Sequence, residues 1–393
     1  MHPPLGWIDS ELEALERAGL RRSRREAVPL ANSRVRIDGR ELVNFASNDY
    51  LNLAREPRVV AAAAAALETD GAGATASALI CGRTARHVAL EERLARFERQ
   101  PAAILFPTGY AANVGTICAL ADSDDAIFSD RLNHASLIDG CRLSHARLCV
   151  YRHDDLSGLE KELRDCPRVR RRLIVTDSVF SMDGTLAPLR ELCDLAERFD
   201  AMLVIDEAHA TGVFGDCGRG VAELQAVEER VAVRTGTLSK ALGALGGFVA
   251  GPQPLIEWLW NRARTQIFST ALPPAVCAAA QAAIGIVESE PGRRQRLMQL
   301  AAEFRTQIAE AGIDTVPNST GPIVPVILQT PERAIRIAGR LEKEGFLVGA
   351  IRPPTVPQGT SRLRITVNCG HQPADLQRLA AAIKAAIESS PAS

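Results

Sequence analysis

The chain lacks a dominant charge. Its formal net charge of −1 removes any general electrostatic pull toward nucleic acid or an anionic membrane. It also lacks paired cysteines: Cys81, Cys118, Cys141, Cys149, Cys166, Cys193, Cys217, Cys277 and Cys369 are odd in number and include no C-x-x-C. That pattern argues against a zinc knuckle and for a reduced compartment, and no metal site is expected. Long apolar runs are missing as well. Ala61–Ala66 is short and flanked by charge, and the acidic opening MHPPLGWIDSELEALERAGL has no signal-peptide core. The expectation is a cytoplasmic protein with neither nucleic acid nor membrane as partner. Two local basic clusters, Arg21–Arg25 and Arg170–Arg172, read as solvated helix or loop ends. No internal repeat or low-complexity linker is apparent.

What is present is an ordinary large core, with hydrophobic residues at 46% and charged residues at 24% over 393 residues, enough for two or three domains. A helix is expected over Glu11–Arg25, then strands Arg34–Ile37 and Glu41–Phe45 joined by the hairpin signal Asp38-Gly39. The centre alternates. Short apolar runs at Ala102–Phe106, Ala126–Ser129, Arg172–Thr176, Met202–Ile205, Val231–Arg234 and Phe248–Ala250 read as buried strands. Helical stretches Ala111–Leu120 and Leu189–Phe199 lie among them. Strand–helix–strand order implies βαβ crossovers and a mostly parallel sheet covered on both faces. Beyond about Pro291 the character changes to α+β: helices Arg293–Ala311 and Pro331–Glu344, strands Ile323–Leu328, Leu347–Val348 and Leu363–Thr366, and a last helix. The expected layout is 1–50 as an N-terminal helix with short strands, 51–290 as a large α/β domain and 291–393 as a small α+β domain.

Four constellations fall at or just past strand ends, where ligands collect in open α/β sheets. In LVIDEAHATG (Leu203–Gly212) an apolar strand runs into Asp206, Glu207 and His209. A buried carboxylate there needs a cation or donor. A plain ion pair would satisfy it, whereas a nucleotide-site acid would want a G-x-x-x-x-G-K-[ST] loop that is absent. In VRTGTLSKALGALGGF (Val233–Phe248), Lys240 follows Thr237 and Ser239 and sits among glycines and apolar residues. Most lysines are solvated, but this setting can favour a neutral, nucleophilic amine, with nearby hydroxyls to hold a phosphate. In FPTGYAAN (Phe106–Asn113) a strand gives way to a helix N-terminus, a natural anion site, with Tyr110 available to cover a ring. A simple turn is the bland reading. In DRLNHASL (Asp130–Leu137), His134 follows a strand within a polar loop, where a structural donor is the common role.

Taken together, these supply a lysine, a carboxylate, a phosphate cup and a stacking group, the four needs of pyridoxal phosphate (PLP). Their order, with Asp206-x-x-His209 some thirty residues before Lys240, resembles the fold-type I PLP enzymes and, more narrowly, the α-oxoamine synthases. NFASNDYLNL (Asn44–Leu53), HVALEERLARF (His87–Phe97), SVFSMDGTLAPL (Ser178–Leu189), FSTALPP (Phe268–Pro274) and AIRPPTVPQGTSRLRIT (Ala350–Thr366) extend the resemblance over nearly the whole chain. The last of these looks like the branch that joins L-alanine to a pimeloyl thioester, carried by coenzyme A or acyl carrier protein, with loss of CO2.

The resemblance implies specific roles. Lys240 would hold the cofactor as an imine and move the Cα proton, and Asp206 would pair with the pyridinium nitrogen. His209 and Ser181 would bond near the phenolic oxygen. His134 would stack on the ring and, protonated, polarise the thioester carbonyl. Gly109, Tyr110 and Thr237 would bind phosphate, and Thr270 would reach the phosphate of a neighbouring subunit in a homodimer with shared sites. Arg364 would clamp the amino-acid carboxylate, while Arg352 with Arg21 would read the far carboxylate of the acyl chain, and Asn48 would line the substrate site. A structural ion pair is the alternative for Arg352. Departures bear on substrate choice. GAGATASALICGR is thin in glycine, and DEAHATG and TLSKALG lean toward relatives making aminolevulinate and sphingoid bases. A family member acting on glycine or another acyl thioester is the second expectation. A transaminating or lyase relative, or a silent PLP-binding protein, would not need IRPPTVP or the full set of proton-handling groups.

Overall fold

The computed structural model describes residues 4–390. Two compact units emerge. One comprises the residues up to Ser47, Met182–Gly184 and those from Leu297 on; the other comprises Asn48–Ser181 and Thr185–Arg296.

The larger unit is built on a seven-stranded sheet in the order Ala102–Phe106, Gly247–Gly251, Val233–Thr237, Ala201–Asp206, Arg172–Asp177, Ala126–Asp130, Arg147–Tyr151. The last five run parallel to their neighbours, and only Gly247–Gly251 is antiparallel to both of its own. The apolar runs are strands because both faces are covered: Ile104, Phe106, Leu173, Val175, Val204, Val233 and Val249 pack in one core with Ile117 of helix Gly109–Leu120. This is the expected mixed α/β sheet of the fold-type I enzymes. The strand expected at Val231–Arg234 lies instead at Val233–Thr237. Its register against Val204–Asp206 is fixed by the parallel ladder, which accommodates the polar Thr235, Gly236 and Thr237 that an apolar pattern leaves out. The outermost strand, Arg147–Tyr151, was not foreseen because it is only half covered and has no buried run to betray it.

In the smaller unit, Ala27–Pro29, Arg34–Ile37, Arg40–Asn44 and Phe346–Leu347 form one sheet, and Ile323–Gln329, Ser361–Thr366 and Gly349–Ile351 another. The parallel pairing of Phe346–Leu347 with Val43–Asn44 ties the N-terminal strands to the C-terminal part of the chain. Asp38 and Gly39 both take positive φ (49° and 80°), the geometry of a tight two-residue hairpin turn. The first helix is Trp7–Arg17 and stops short of the expected Arg25. Gly19, at φ +64°, ends it in the left-handed conformation that glycine adopts without strain. Arg25 then bonds Asp38 and Glu342, and Arg170 and Arg171 of the other unit bond the buried Asp125, so these basic clusters are partly ion-paired. Among the described residues no helix is long and apolar enough to cross a membrane.

Candidate active site

A cavity of about 190 Å³ in the larger unit is lined by Thr108, Gly109, Tyr110, Asn113, His134, Ser136, Asp206, Ala208, Thr237, Ser239 and Lys240. It lies at the carboxyl ends of the parallel strands, where Asp206 ends one strand and Thr237 the next. Thus the residues singled out from three separate sequence segments, together with Lys240, line one space. Lys240 is one of only four lysines; Lys161, Lys343 and Lys384 are all exposed, whereas Lys240 is half-buried.

Asp206 is held from two sides. The Ala208 N–H donates to Oδ1 at 2.7 Å and the Asn113 amide to Oδ2 at 2.7 Å. Beside it in register stands Asp177, the end of the adjacent strand. Burial, reinforced by the charge of Asp206, pushes the Asp177 carboxyl well above the usual carboxylate range. Asp177 accepts the backbone N–H of His134 at 2.6 Å, and Asn133 takes the Asp177 N–H at 2.9 Å, so the loop carrying His134 is pinned to a strand end.

His134 caps helix Ala135–Leu143: its Nδ1 accepts the Ser136 N–H at 3.3 Å and lies 2.7 Å from the Ser136 hydroxyl. Burial lowers its pKa; Asp206 opposes this and Lys240 assists it. Tyr50 donates its hydroxyl to, or accepts from, His209 Nδ1 at 2.6 Å, fixing that ring. Glu207 is buried and turned away from this chemistry. Its carboxylate accepts the Ser178 hydroxyl and the N–H groups of Val221 and Ala222, and burial raises its pKa.

The anion cup forms where helix Gly109–Leu120 begins. Thr108 caps it by accepting the Ala111 N–H at 3.0 Å, and the first N–H groups of a helix have no partner within it. Gly109 eases close approach, since a Cβ there would stand 3.2 Å from Thr237, tighter than an ordinary contact. Thr237 Oγ1 donates to the Gly246 carbonyl at 2.9 Å and lies 2.8 Å from Ser239 Oγ. Tyr110 is half exposed and bonds Asp139. A primary amine, a buried carboxylate held by N–H donors, and a hydroxyl-and-helix cup match the imine, pyridinium and phosphate requirements of PLP. The donor set fits the group.

Other expected residues lie outside this cavity. Ser181 ends the segment after strand Arg172–Asp177, and Asn48 accepts from the Tyr50 hydroxyl at 3.4 Å. Thr270 is exposed and forms a β-bridge with Ser77. Arg21, Arg352 and Arg364 belong to the smaller unit. There Arg21 and Arg352 share a cavity of about 600 Å³ with Arg22 and Arg25, Arg352 donating to the Arg21 carbonyl at 2.9 Å. The ion pair weighed for Arg352 is not what this bond is, since its acceptor is a backbone carbonyl. Arg364 is buried on strand Ser361–Thr366 and donates to Thr366 Oγ1 at 3.0 Å. Sequence reasoning missed Asn113, Ser136, Asp177 and Tyr50. Each had a faint signal: Asn113 stands one helical turn after Gly109, and Asp177 closes an apolar run as Asp206 does. Among the described residues no cluster of His, Cys, Asp and Glu is placed to hold a metal ion.

Comparison with known proteins agrees with this geometry. The family model for aminotransferase class I and II matches residues 40–383. An 8-amino-7-oxononanoate synthase from Anaeromyxobacter dehalogenans is 51% identical over 98% of this chain and 97% of its own. Among solved structures, a serine palmitoyltransferase from S. paucimobilis with bound PLP–myriocin superposes with a TM-score of 0.93 at 32% identity, covering 98% of each chain. The 8-amino-7-oxononanoate synthase of Francisella tularensis superposes at 0.76 with 28% identity, covering 88% of this chain and 98% of the other. With half its residues shared over nearly the full length, the chain belongs to the 8-amino-7-oxononanoate synthase family, within the class I and II aminotransferases.

Proposed function

We propose that the protein joins L-alanine to a pimeloyl thioester, on coenzyme A or acyl carrier protein, giving 8-amino-7-oxononanoate, CO2 and free thiol for biotin synthesis. The observation that carries this is the meeting of Lys240, Asp206 and His134 on one cavity beside a helix N-terminus, in a chain of this family. PLP is the cofactor and, when bound, supplies an electron sink for the alanine Cα.

The side chains do the rest. The Lys240 amine holds the cofactor and then takes and returns the proton at Cα. Asp206, already fixed by Ala208 and Asn113, keeps the ring nitrogen protonated. His134 covers the ring face and offers its Nε2–H to the incoming thioester carbonyl, which it polarises most strongly when protonated. His209, steadied by Tyr50, and Ser181 hold the phenolic oxygen. Thr237, with the N–H groups of Gly109 and Tyr110, binds phosphate. Arg364 grips the amino-acid carboxylate as a planar fork and releases it as CO2 departs. Asn48 contacts the amino acid. Arg352 and Arg21 take the far carboxylate of the acyl chain; with Arg22 and Arg25 they line one cavity, a cationic setting for an anionic chain end. The protein works as a homodimer in which Thr270 reaches the partner's phosphate. Exposed Ile80 (77%) and Phe268 (71%), near the Ser77–Thr270 bridge, favour a covered surface there.

The test is free-thiol release by PLP-loaded protein given L-alanine or glycine against pimeloyl, succinyl, acetyl and palmitoyl coenzyme A. Release confined to alanine with pimeloyl thioester supports the reading. Release with glycine and another acyl group keeps the chemistry and overturns the substrate. If no coenzyme A ester reacts, the same acyl groups on acyl carrier protein decide, and silence there as well sinks the condensation.

A further inference from the structure

Asn113 is 2% exposed and every polar atom of its side chain is engaged. Its Nδ2 donates to Asp206 Oδ2 at 2.7 Å and to Ser136 Oγ at 2.8 Å, and its Oδ1 accepts the Thr235 hydroxyl at 2.6 Å. A carboxylate only accepts, so the amide nitrogen must face Asp206 and the orientation of Asn113 is determined. Ser136 Oγ then accepts from Asn113, which leaves its own proton free for His134 Nδ1, 2.7 Å away. The Ser136 backbone N–H also points at that nitrogen, and a backbone N–H cannot accept. That N–H requires Nδ1 to be the unprotonated nitrogen, so the Ser136 hydroxyl donates to it and the ring proton stands on Nε2. Asp177 holds the backbone of the same histidine at 2.6 Å.

We propose that Asn113 is a positioning residue, a single amide that sets the carboxylate of Asp206 and, through the Ser136 hydroxyl, the hydrogen bond that orients the His134 ring. One side chain thus aligns the groups assigned to opposite tasks, one meeting the ring edge and one its face. The inference rests on the functional reading of Asp206 and His134 given above. It adds that their geometry has a common origin one helical turn inside the anion-binding helix.

The experiment uses PLP-loaded dimer carrying Asn113→Ala, Asn113→Asp, Ser136→Ala and the double variant Asn113→Ala/Ser136→Ala. Imidazole 15N resonances, with His134 assigned by its own substitution, report the tautomer without turnover. They should show Nε2–H in the native protein, and a clearly shifted Nδ1 resonance in Asn113→Ala and Ser136→Ala alike, because each alters the hydroxyl bond to Nδ1 while the Ser136 N–H stays. Turnover should fall roughly tenfold in each single variant through kcat rather than KM. The double variant should be no more than about threefold worse than the weaker single, because both cut the same chain of bonds. Asn113→Asp preserves shape but sets a carboxylate against Asp206, and should weaken PLP binding, followed by visible absorbance, by roughly tenfold or more. Unchanged His134 15N shifts with multiplicative losses would overturn the proposal, as would native PLP affinity in Asn113→Asp. Should Asn113→Ala fail to fold, Ser136→Ala and Asn113→Asp still decide it. Should no substrate pair turn over in the native protein, the functional reading fails, while the tautomer and affinity measurements still test Asn113.

Discussion

Acidification should destabilise the smaller unit through one histidine. His371 is 1% exposed and stacked on Phe45 with ring centroids 4.1 Å apart. Its Nδ1 accepts the Asn368 N–H at 3.1 Å, while Nε2 faces the Asn44 carbonyl at 3.1 Å and donates to it. That arrangement needs a neutral ring, because a proton on Nδ1 would face an N–H. Burial lowers the pKa from 6.5 to about 4, although the bond to Asn44 opposes it. In the unfolded chain the ring takes a proton near 6.5, so that state is favoured as pH falls. The contribution is fully present above pH 6.5 and lost progressively down to about 4. The gap amounts to about 3 kcal/mol in full, of which about 2 kcal/mol is lost between pH 7.5 and 5. Urea unfolding of native protein and His371→Gln at both pH values measures it. The variant is expected to start less stable but to lose about 2 kcal/mol less on acidification, since other groups titrate equally in both. Equal losses would refute the argument.

Other outcomes follow from the site. Lys240→Ala should abolish the lysine-dependent visible absorbance and lower thiol release by roughly 10³-fold or more; sustained activity would remove the catalytic assignment. Arg352→Ala should raise KM for pimeloyl thioester by roughly ten- to hundredfold and leave an uncharged acyl chain of equal length nearly unaffected, which steady-state kinetics with both esters would check. Gly220 takes φ +118°, and a Cβ on it would lie 2.6 Å from the Glu207 carboxyl. Gly220→Ala should therefore cost about 2–3 kcal/mol in an unfolding titration, and a neutral result would mean that this loop yields easily.

The strand series was legible because buried parallel strands are written as short apolar runs. Lys240, Asp206 and His134 were legible because each stands where such a run meets polar residues. The edge strand Arg147–Tyr151 carries the apolar run Leu148–Tyr151 but is half exposed and was passed over, and the extent of helix Trp7–Arg17 turned on the left-handed Gly19. Asn113 and Ser136 were hidden for a different reason. Asparagine in a helix and serine after a histidine are unremarked in sequence, and acquire meaning only when the fold brings positions 113, 136, 206 and 235 together. Asp177 likewise gains its character from the neighbouring strand in register.

The scarcity of lysine reaches beyond the cavity. Unprotonated primary amines attack aldehydes and activated acyl groups, whereas guanidinium groups keep their proton and do not react. Of 46 basic Lys and Arg residues only four are lysines, and the three outside the cavity are exposed and fully solvated in character. A protein that handles a reactive aldehyde and a thioester thus carries almost no side-chain amines for either to scar. Hydride reduction of the loaded protein should mark Lys240 against a nearly silent lysine background, and because the modified lysine resists cleavage, cutting at lysine alone should leave the mark within the peptide 162–343.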